Sequence, residues 1–256
     1  MVNARLKARG PVLLGLSSGK GGVGKTSLTV NLSYALAQLG SRVLVVDGDL
    51  GLANVDVVLG LMVRTTMRDI LDKGLDPLEA LIYPEPNWAI LPATSGVTEM
   101  VNLGPDDQDY LKKMLQSLAA HFDFVLVDMA AGIGSSVLWF NTFVEHNIII
   151  LSPDPTSMTD AYALIKVLKQ NFNRNEFFLL LNSVKDENEG RKVYEHLTKV
   201  AEKFLQIKLK YLGAIPWAEE VRKAVREQAP FLKLFPQCRA SKAVLALAER
   251  IRQMSR

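Results

Sequence analysis

Cysteine is almost absent from this sequence, whose 256 residues include only Cys238. A lone cysteine excludes an internal disulfide, and no secretory apolar segment precedes the first strand-like run, so a cytoplasmic location is expected. The same shortage argues against iron–sulfur ATPases, which hold a shared cluster through paired cysteines. We therefore expect a chain that folds and works without sulfur-based cross-links or clusters.

Long apolar runs, excess charge and clustered histidines are missing as well. No run reaches the roughly 18 apolar residues that a membrane-spanning helix needs. The 30 basic and 27 acidic residues nearly balance, so net charge alone indicates neither nucleic acid nor membrane as a partner. The three histidines, His121, His146 and His196, lack metal-ligand spacing. Any partner-binding site must therefore depend on a local feature.

Glycine and lysine, by contrast, are concentrated in Gly19–Thr26 (GKGGVGKT), which fits the phosphate-binding pattern G-x-x-x-x-G-K-[ST]. The apolar run Val12–Ser17 before it suits a buried strand, and Thr26–Leu39 after it has helical apolar spacing that ends at Gly40. Strand, glycine loop and helix in this order is the context that the pattern requires. The segment is therefore predicted to be a phosphate-binding loop.

This loop predicts how a nucleotide is held. Its glycines let successive N–H groups converge on phosphate oxygens at the positive end of the next helix. Lys25 is predicted to reach the β and γ phosphates of ATP, and the Thr26 hydroxyl to hold Mg2+. A second lysine, Lys20, lies inside the loop and indicates a subtype. The predicted phosphate-binding residues are Gly19, Lys20, Gly21, Gly22, Val23, Gly24, Lys25, Thr26 and Ser27.

Apolar, β-rich segments alternate with helical ones along the rest of the chain. Such strands indicate a mainly parallel sheet covered by helices on both faces. We expect a single doubly wound α/β domain of the P-loop NTPase type, residues 1–256, with about seven or eight strands and ligands at their carboxyl ends. Residues 1–10 would be a short basic extension and residues 241–256 a C-terminal helix. The predicted later strands are Arg42–Asp47, Trp88–Leu91, Phe122–Asp128, Ile148–Ser152, Phe177–Asn182 and Lys210–Ile215; the predicted helices include Asp106–His121, Thr159–Phe172 and Gly190–Leu205.

Acidic residues stand at the ends of two predicted strands, where ligands are expected. Asp47 closes one strand, Asp49 follows it, and Asp128 closes another. Carboxylates beside a phosphate loop can organise magnesium and water. We predict that Asp47 and Asp128, the latter as a Walker B residue acting through a water, bind the metal together with Thr26, and that Asp49 orients the attacking water. The alternative for each aspartate alone is a helix cap or a turn residue.

These motifs together resemble the deviant Walker A ATPases typified by MinD and ParA. Lys20–Thr26 (KGGVGKT) is similar to their phosphate loop, Asp47–Asp49 (DGD) to their first switch, and Asp128–Ile133 (DMAAGI) to their second. Gly213–Pro216 (GAIP) and a final helix extend the resemblance over nearly the whole chain. Within the family the chain most resembles the FlhG-type regulators of flagellar number and placement. The segments that carry this closer resemblance are DGDLGLANVDVVLG, Leu91–Leu103, Pro155–Lys166 and Val221–Pro230.

The resemblance implies a MinD-like fold and an ATP-driven cycle. ATP would bring two copies face to face, with Lys20 of each reaching the other's phosphates, and hydrolysis to ADP would dissolve the dimer. Lys20, Lys25 and Asp49 would then be the catalytic residues, and turnover would be slow without a stimulating partner. Asn182 and Pro216 would contact adenine; the alternative for both is a strand-end turn residue.

Partners and competing functions follow from the same resemblance. The expected partners are an FlhF-type GTPase, flagellar switch or basal-body proteins, or a transcriptional regulator. The alternatives are a MinD-type division-site regulator, a ParA-type DNA partition ATPase, and a metabolic ligase or kinase on the same loop. Nucleic acid is disfavoured by the near-neutral charge and by the missing DPQG-type continuation of the first switch.

The sequence departs from the family pattern in two places. Met129 and Ala130 replace the small polar, proline or glycine residues that usually follow the second-switch aspartate. The basic start, with Arg5, Lys7 and Arg9, lacks the glutamine-bearing segment that many FlhG proteins use to activate their GTPase. These departures put in question how the second switch reaches its partner and whether a GTPase is activated.

The C-terminal segment Ser241–Met254 has one apolar helical face, which fits either a helix packed on the sheet or an interfacial membrane helix. We predict core packing, and peripheral attachment to the inner face of the cell membrane or the pole stays the alternative. The tryptophans Trp88, Trp139 and Trp217 are likewise expected in the core rather than at an interface.

Overall fold

The computed structural model describes residues 10–51, 53–93 and 104–254. The basic extension before residue 10 and most of the segment Leu91–Leu103 therefore lie outside the described residues. The same holds for residue 52, which follows the segment Asp47–Asp49 that resembles a first switch.

Eight strands form one sheet in the described part of the chain. They are β1 (Val12–Ser18), β2 (Val43–Gly48), β3 (Ile82–Glu85), β4 (Trp88–Leu91), β5 (Phe124–Ala131), β6 (His146–Leu151), β7 (Phe177–Val184) and β8 (Lys210–Pro216). Their order is β3-β4-β2-β5-β1-β6-β7-β8. All neighbouring pairs are parallel except β3 with β4. The predicted doubly wound, mainly parallel sheet is confirmed.

Helices cover both faces of this sheet. They are α1 (Lys25–Gln38), α2 (Val55–Leu59), α3 (Met67–Lys73), α4 (Pro105–Ala119), α5 (Ser135–Phe143), α6 (Pro155–Phe172), α7 (Glu187–Leu205), α8 (Glu219–Arg226), α9 (Phe231–Leu234) and α10 (Arg239–Met254), with a 3-10 helix at Pro77–Ala80. Helices α1, α9 and α10 share one apolar core with one face of the sheet. Helices α3 to α7 contribute to the two cores on the other face.

The register of the central strands brings the predicted site residues together. β1 lies between β5 and β6, and β5 also pairs with β2, where Asp47 stands opposite Asp128. The carboxyl ends of parallel strands meet at one edge of a sheet. The phosphate loop after β1 and both aspartates therefore lie at the same edge.

Several element boundaries differ from the sequence prediction. Helix α6 begins at Pro155 rather than Thr159, because the Asp154 carboxylate accepts a bond from the Ser157 amide and caps the first turn. The antiparallel strand β3 was not predicted, because it is four residues long and contains a proline that interrupts any strand pattern. Short elements with few apolar positions carry little periodic signal.

The tryptophan prediction is wrong for Trp217. Trp88 is buried and donates from Nε1 to Ser33 Oγ at 2.9 Å. Trp139 is partly buried against one of the cores. Trp217 is 50% exposed, because it follows the last residue of β8, where the strand no longer lies between two helical layers.

The C-terminal helix α10 packs in the core, as predicted. Val244, Leu247, Ala248 and Ile251 are buried and belong to the core that α1 shares. Arg250 also donates to the Leu212 carbonyl at 2.6 Å, which ties the helix to β8. The predicted apolar face is therefore occupied by contacts within the domain. No helix in the described ranges combines the length and apolarity needed to cross a bilayer.

Candidate nucleotide site

The phosphate loop has the backbone geometry that a phosphate cradle requires. Gly22 and Gly24 have φ of 76° and 88°, in the left-handed region that favours glycine. At Gly19 a Cβ atom would come within 2.1 Å of the Asp160 carbonyl oxygen, so only glycine fits there. Helix α1 follows directly, and no side chain caps its first turn. The first N–H groups of α1 are therefore left for an anion.

Side chains from the start of α1 converge on Asp128. Thr26 Oγ1 donates to Asp128 Oδ2 at 2.6 Å, Thr29 Oγ1 lies 2.9 Å from Oδ1, and Lys25 Nζ lies 3.4 Å from Oδ1. The Asp128 side chain is 1% exposed and that of Lys25 is 10% exposed. The carboxylate is thus held beside the hydroxyl that was predicted to bind magnesium.

Thr29 was missed by the sequence prediction. It lies one helical turn after Thr26 and is fully buried, so its position three residues along the same helix face was the available signal. Its hydroxyl also lies 3.0 Å from the Lys25 carbonyl. A hydroxyl has one proton to donate, and a carboxylate is a stronger acceptor than a backbone carbonyl. The Thr29 hydroxyl is therefore assigned as a donor to Asp128.

The oxygen atoms at this edge fit a hard cation. A threonine hydroxyl and an aspartate carboxylate are ligands that Mg2+ accepts, with water and phosphate oxygens completing its shell. No group of three or more acidic, histidine or cysteine side chains lies close enough to hold a metal in the described residues. The donor set therefore fits a magnesium ion that is shared with a nucleotide.

Asp47 lies beside Asp128 but has different partners. Its carboxylate accepts from the backbone N–H groups of Asp49, Asn54 and Val55 at 3.1, 3.0 and 3.1 Å. The pKa of Asp47 is raised to about 7, chiefly by burial and also by the nearby Asp128 carboxylate, while the three N–H groups lower it. The bond from the Asp49 amide to Asp47 fixes the backbone of the half-buried Asp49 at the carboxyl edge of the sheet.

The second lysine of the loop contacts the start of α6 in its own chain. Lys20 Nζ lies 3.0 Å from Asp154 Oδ1 and 2.6 Å from Thr156 Oγ1. Hydrogen bonds from Ser152, Thr156, the Ser157 amide and Lys20 hold the pKa of Asp154 well below its usual range. The ion pair is half-exposed, with 40% and 42% of the two side chains accessible.

A small cavity of about 110 Å³ lies behind the phosphate loop and contains Asn182 in its lining. Asn182 Nδ2 donates to the Val23 carbonyl at 2.7 Å and so joins β7 to the loop. Ile215 lines the same cavity, and Pro216 is the next residue of β8. The structure therefore brings Asn182 to the loop and Pro216 next to the cavity; their contact with adenine stays a prediction.

The family follows from comparison with known proteins. A family model described as "ParA: NUBPL iron-transfer P-loop NTPase" matches residues 12–252. This chain belongs to the ParA/MinD family of P-loop NTPases. That description mentions iron transfer, whereas this sequence contains a single cysteine, Cys238, and therefore no pair of thiols.

Individual relatives narrow the resemblance within the ParA/MinD family. Antiactivator FleN of Pseudomonas aeruginosa is 41% identical over 239 residues, which is 93% of this chain and 85% of FleN. The flagellum site-determining protein YlxH of Helicobacter pylori is 35% identical over 92% of this chain and 80% of its own length. Among solved structures, MinD of Pyrococcus horikoshii in complex with Mg-ADP has a TM-score of 0.79 and 28% identity, covering 96% of this chain and 97% of MinD.

The segment Asp128–Ile133, which resembles the family's second switch, lies partly in the core. Strand β5 continues past Asp128 to Ala131, and the Gly132 amide donates to the Ser18 carbonyl at 2.8 Å. Met129 is fully buried, and its Cε atom would lie 2.4 Å from a Cβ at Gly15. Met129, which departs from the family pattern, therefore packs in the core against Gly15 of β1. Ile133, which is 51% exposed, is the first large apolar side chain that the switch presents outward.

A cavity of about 550 Å³ lies at the other edge of the sheet from the candidate nucleotide site. It is lined by residues at the amino ends of β1 and β6 to β8, among them Val12, His146, Phe178 and Lys210. The phosphate loop lies at the opposite, carboxyl edge of the sheet. The candidate nucleotide site is therefore distinguished by its chemistry and backbone geometry.

Proposed function

We propose that this chain is an ATPase that dimerises on binding ATP and Mg2+ and acts as a spatial or numerical regulator of flagellum biosynthesis. The observation that carries the dimerisation proposal is the position of Lys20. This lysine lies within the phosphate loop, yet its ammonium group is bound to Asp154 and Thr156. A half-exposed ion pair of this kind contributes about 0–1 kcal/mol. Lys20 can therefore exchange Asp154 for a more highly charged phosphate.

The remaining residues supply the parts of a phosphoryl-transfer site. Lys25 stabilises negative charge on the β and γ phosphates, and the N–H groups at the start of α1 bind their oxygens. Thr26 and Asp128 would hold the magnesium ion, which neutralises charge on the phosphates. Asp49 orients the attacking water, and Asn182 and Pro216 border the adenine. Lys20 of a second subunit adds a cation that stabilises the transferred charge only in the dimer.

The flagellar role is supported by the relatives. FleN is named an antiactivator and YlxH a flagellum site-determining protein. Partners of this chain would then be an FlhF-type GTPase, flagellar switch or basal-body proteins, or a transcriptional regulator. The expected location is the cytoplasm, with peripheral attachment at the pole or the inner face of the cell membrane. Mg-ADP in a MinD relative supports a magnesium nucleotide as the ligand.

Binding and mass measurements test the ATP-driven dimer. Lys25→Ala should abolish ATP binding in isothermal titration calorimetry, because the phosphates lose their cation. Asp49→Ala should bind ATP, hydrolyse it poorly, and accumulate at twice the monomer mass in size-exclusion chromatography with light scattering. Normal ATP affinity in Lys25→Ala, or normal hydrolysis in Asp49→Ala, would remove these residues from the assigned roles.

Deletion of the gene in its own organism tests the regulatory role. Electron microscopy of the deletion strain should show a changed number or position of flagella. Expression of the wild-type gene should restore the normal pattern, whereas expression of the Lys25→Ala variant should not. A shifted division septum with normal flagella would support the MinD-type alternative instead.

A further inference from the structure

Two buried carboxylates lie side by side at the carboxyl edge of the sheet, and they have different hydrogen-bond partners. Asp47 and Asp128 occupy paired positions on β2 and β5, and each is 1% exposed. The partners of Asp128 are side-chain donors of α1, namely Lys25, Thr26 and Thr29. The partners of Asp47 that the structure shows are backbone N–H groups of the segment that follows β2.

These N–H groups come from both ends of one loop. The Asp49 amide bonds to Asp47 Oδ1, directly after the strand, and the Asn54 and Val55 amides bond to Oδ2. Val55 is the first residue of α2, and the Asn54 side chain makes no capping bond. The first N–H groups of a helix need acceptors from outside the helix. Asp47 supplies that acceptor for α2 from the other end of the loop.

The loop is packed tightly where it leaves the sheet. A Cβ at Gly48 would lie 3.0 Å from a Val127 methyl group and 3.1 Å from the Asp128 carbonyl oxygen. Leu50 is 1% exposed and Ala53 is 6% exposed. The carboxylate of Asp47 thus fixes a loop in which Leu50 and Ala53 are buried, and Asp49 is held within it.

We propose that Asp47 is a positioning residue, which holds the first-switch loop (residues 48–55) and through it Asp49, and that it is not a magnesium ligand. Two amides bond to Oδ2 and a third to Oδ1, so three of the four lone pairs of the carboxylate are used, and ligation of a metal through Oδ2 would release the start of α2. The catalytic effect of Asp47 rests on the proposed function, in which Asp49 orients the attacking water. The role of Asp47 in holding the loop does not depend on that function.

Amide exchange tests the loop contact without any activity. In the nucleotide-free wild type, residue-resolved hydrogen exchange should show the amides of Asp49, Asn54 and Val55 protected. In Asp47→Asn an amide nitrogen replaces one acceptor oxygen, so the exchange of either the Asp49 amide or the Asn54 and Val55 amides should rise about tenfold or more. Asp56→Asn, in the same helix, is the matched control and should leave the three amides protected. Unprotected amides in the wild type would overturn the proposal even if Asp47→Asn does not fold.

A magnesium titration tests whether Asp47 is a ligand of the metal. Asp47→Asn should lower kcat by on the order of tenfold, with the KM for ATP and the Mg2+ concentration for half-maximal activity within about twofold of wild type. Asp128→Asn should raise that Mg2+ concentration by about tenfold or more. The same rise in Asp47→Asn would overturn the proposal. A wild type that hydrolyses no ATP would contradict the proposed function, and the exchange experiment would still decide the role of Asp47.

Discussion

Lys20 and Asp154 form an ion pair that joins the phosphate loop to the start of α6, with Nζ and Oδ1 3.0 Å apart. The pair links the second lysine of the family's loop to a residue 134 positions away. It holds the lysine in its own subunit. The proposed dimerisation through Lys20 would therefore compete with this internal contact.

Weakening that contact should favour the dimer. Asp154→Asn keeps a good helix cap for α6, since asparagine and aspartate cap equally well, but removes the charge that attracts Lys20. Exposed ion pairs contribute up to about 1 kcal/mol, and each of the two subunits has one such pair, so the dissociation constant of the ATP-bound dimer should fall by up to about thirtyfold. Analytical ultracentrifugation with ATP on an Asp49→Ala background measures it.

The control for that experiment is Glu195→Gln, an exposed charge change on α7. It should leave the dimer constant unchanged. A weaker dimer in Asp154→Asn would mean that Asp154 supports dimerisation instead of competing with it. The pKa of Asp154 is held low by its hydrogen bonds, so the carboxylate is ionised throughout the neutral range and the effect should be the same at pH 6.5 and pH 8.

Thr29 should matter to catalysis through Asp128. Thr29→Val keeps the shape of this buried side chain and removes the hydroxyl that lies 2.9 Å from the carboxylate. A hydrogen bond to a charged group is worth about 1.5–3 kcal/mol, so kcat should fall by on the order of tenfold while the KM for ATP changes little. Steady-state kinetics measure both. Thr29→Ser retains the hydroxyl and should be close to wild type; equal loss in both variants would assign Thr29 a packing role only.

The capping box of α3 gives a pH-dependent stability prediction. Asp69 accepts from the Thr66 amide at 2.9 Å and from Lys73 at 2.6 Å. The Lys73 bond, followed by those of Thr66, lowers the pKa of Asp69 to about 2. Asp69→Asn should therefore cost about 1 kcal/mol of unfolding free energy near pH 7.

The sign of the pH effect follows from linkage. Because the folded-state pKa of Asp69 is below the unfolded value, the contribution is present above about pH 4 and is lost as the pH falls towards about 2. The stability gap between wild type and Asp69→Asn should be constant from pH 5 to 8 and should narrow below pH 4. Urea unfolding at several pH values measures the gap. A gap that persists unchanged at pH 3 would contradict the assigned cause.

Helix α10 should behave as a core helix. Leu247 is 2% exposed within the core that α1 shares, so Leu247→Ala should cost about 2–5 kcal/mol. Leu245, which is only partly buried on the same helix, provides the matched Leu245→Ala control and should cost less. Thermal unfolding compares the two. A negligible loss in Leu247→Ala, together with ATP-dependent sedimentation on liposomes that Leu247→Ala abolishes, would favour the membrane alternative.

Local patterns were sufficient for most of the fold. The phosphate loop between β1 and α1 and the buried parallel strands carry signals within ten to fifteen residues, and each was predicted. Strand β3 was missed because its four residues depend on pairing with β4. The apolar positions of α10 were predicted to face the core, which the burial of Leu247 confirms.

The site was predictable in its residue types but not in its contacts. Asp47 and Asp128 were placed correctly at the carboxyl edge, since strand ends are visible in the sequence. The partners of Asp47 were not visible, because its bonds go to backbone N–H groups that have no residue-type signal. The Lys20–Asp154 pair and the Thr29–Asp128 contact join residues 134 and 99 positions apart, which only the folded sheet brings together.

Lys20 is proposed to couple ATP binding to dimerisation, and substitution of this lysine tests the proposal most directly. Lys20→Ala and the control Lys199→Ala, an exposed lysine on α7, are compared by size-exclusion chromatography with light scattering, plus and minus ATP. Lys20→Ala should bind ATP yet remain at the monomer mass of about 28 kDa, whereas Lys199→Ala and wild type should reach twice that mass. An ATP-dependent dimer of Lys20→Ala with the affinity of wild type would contradict the account.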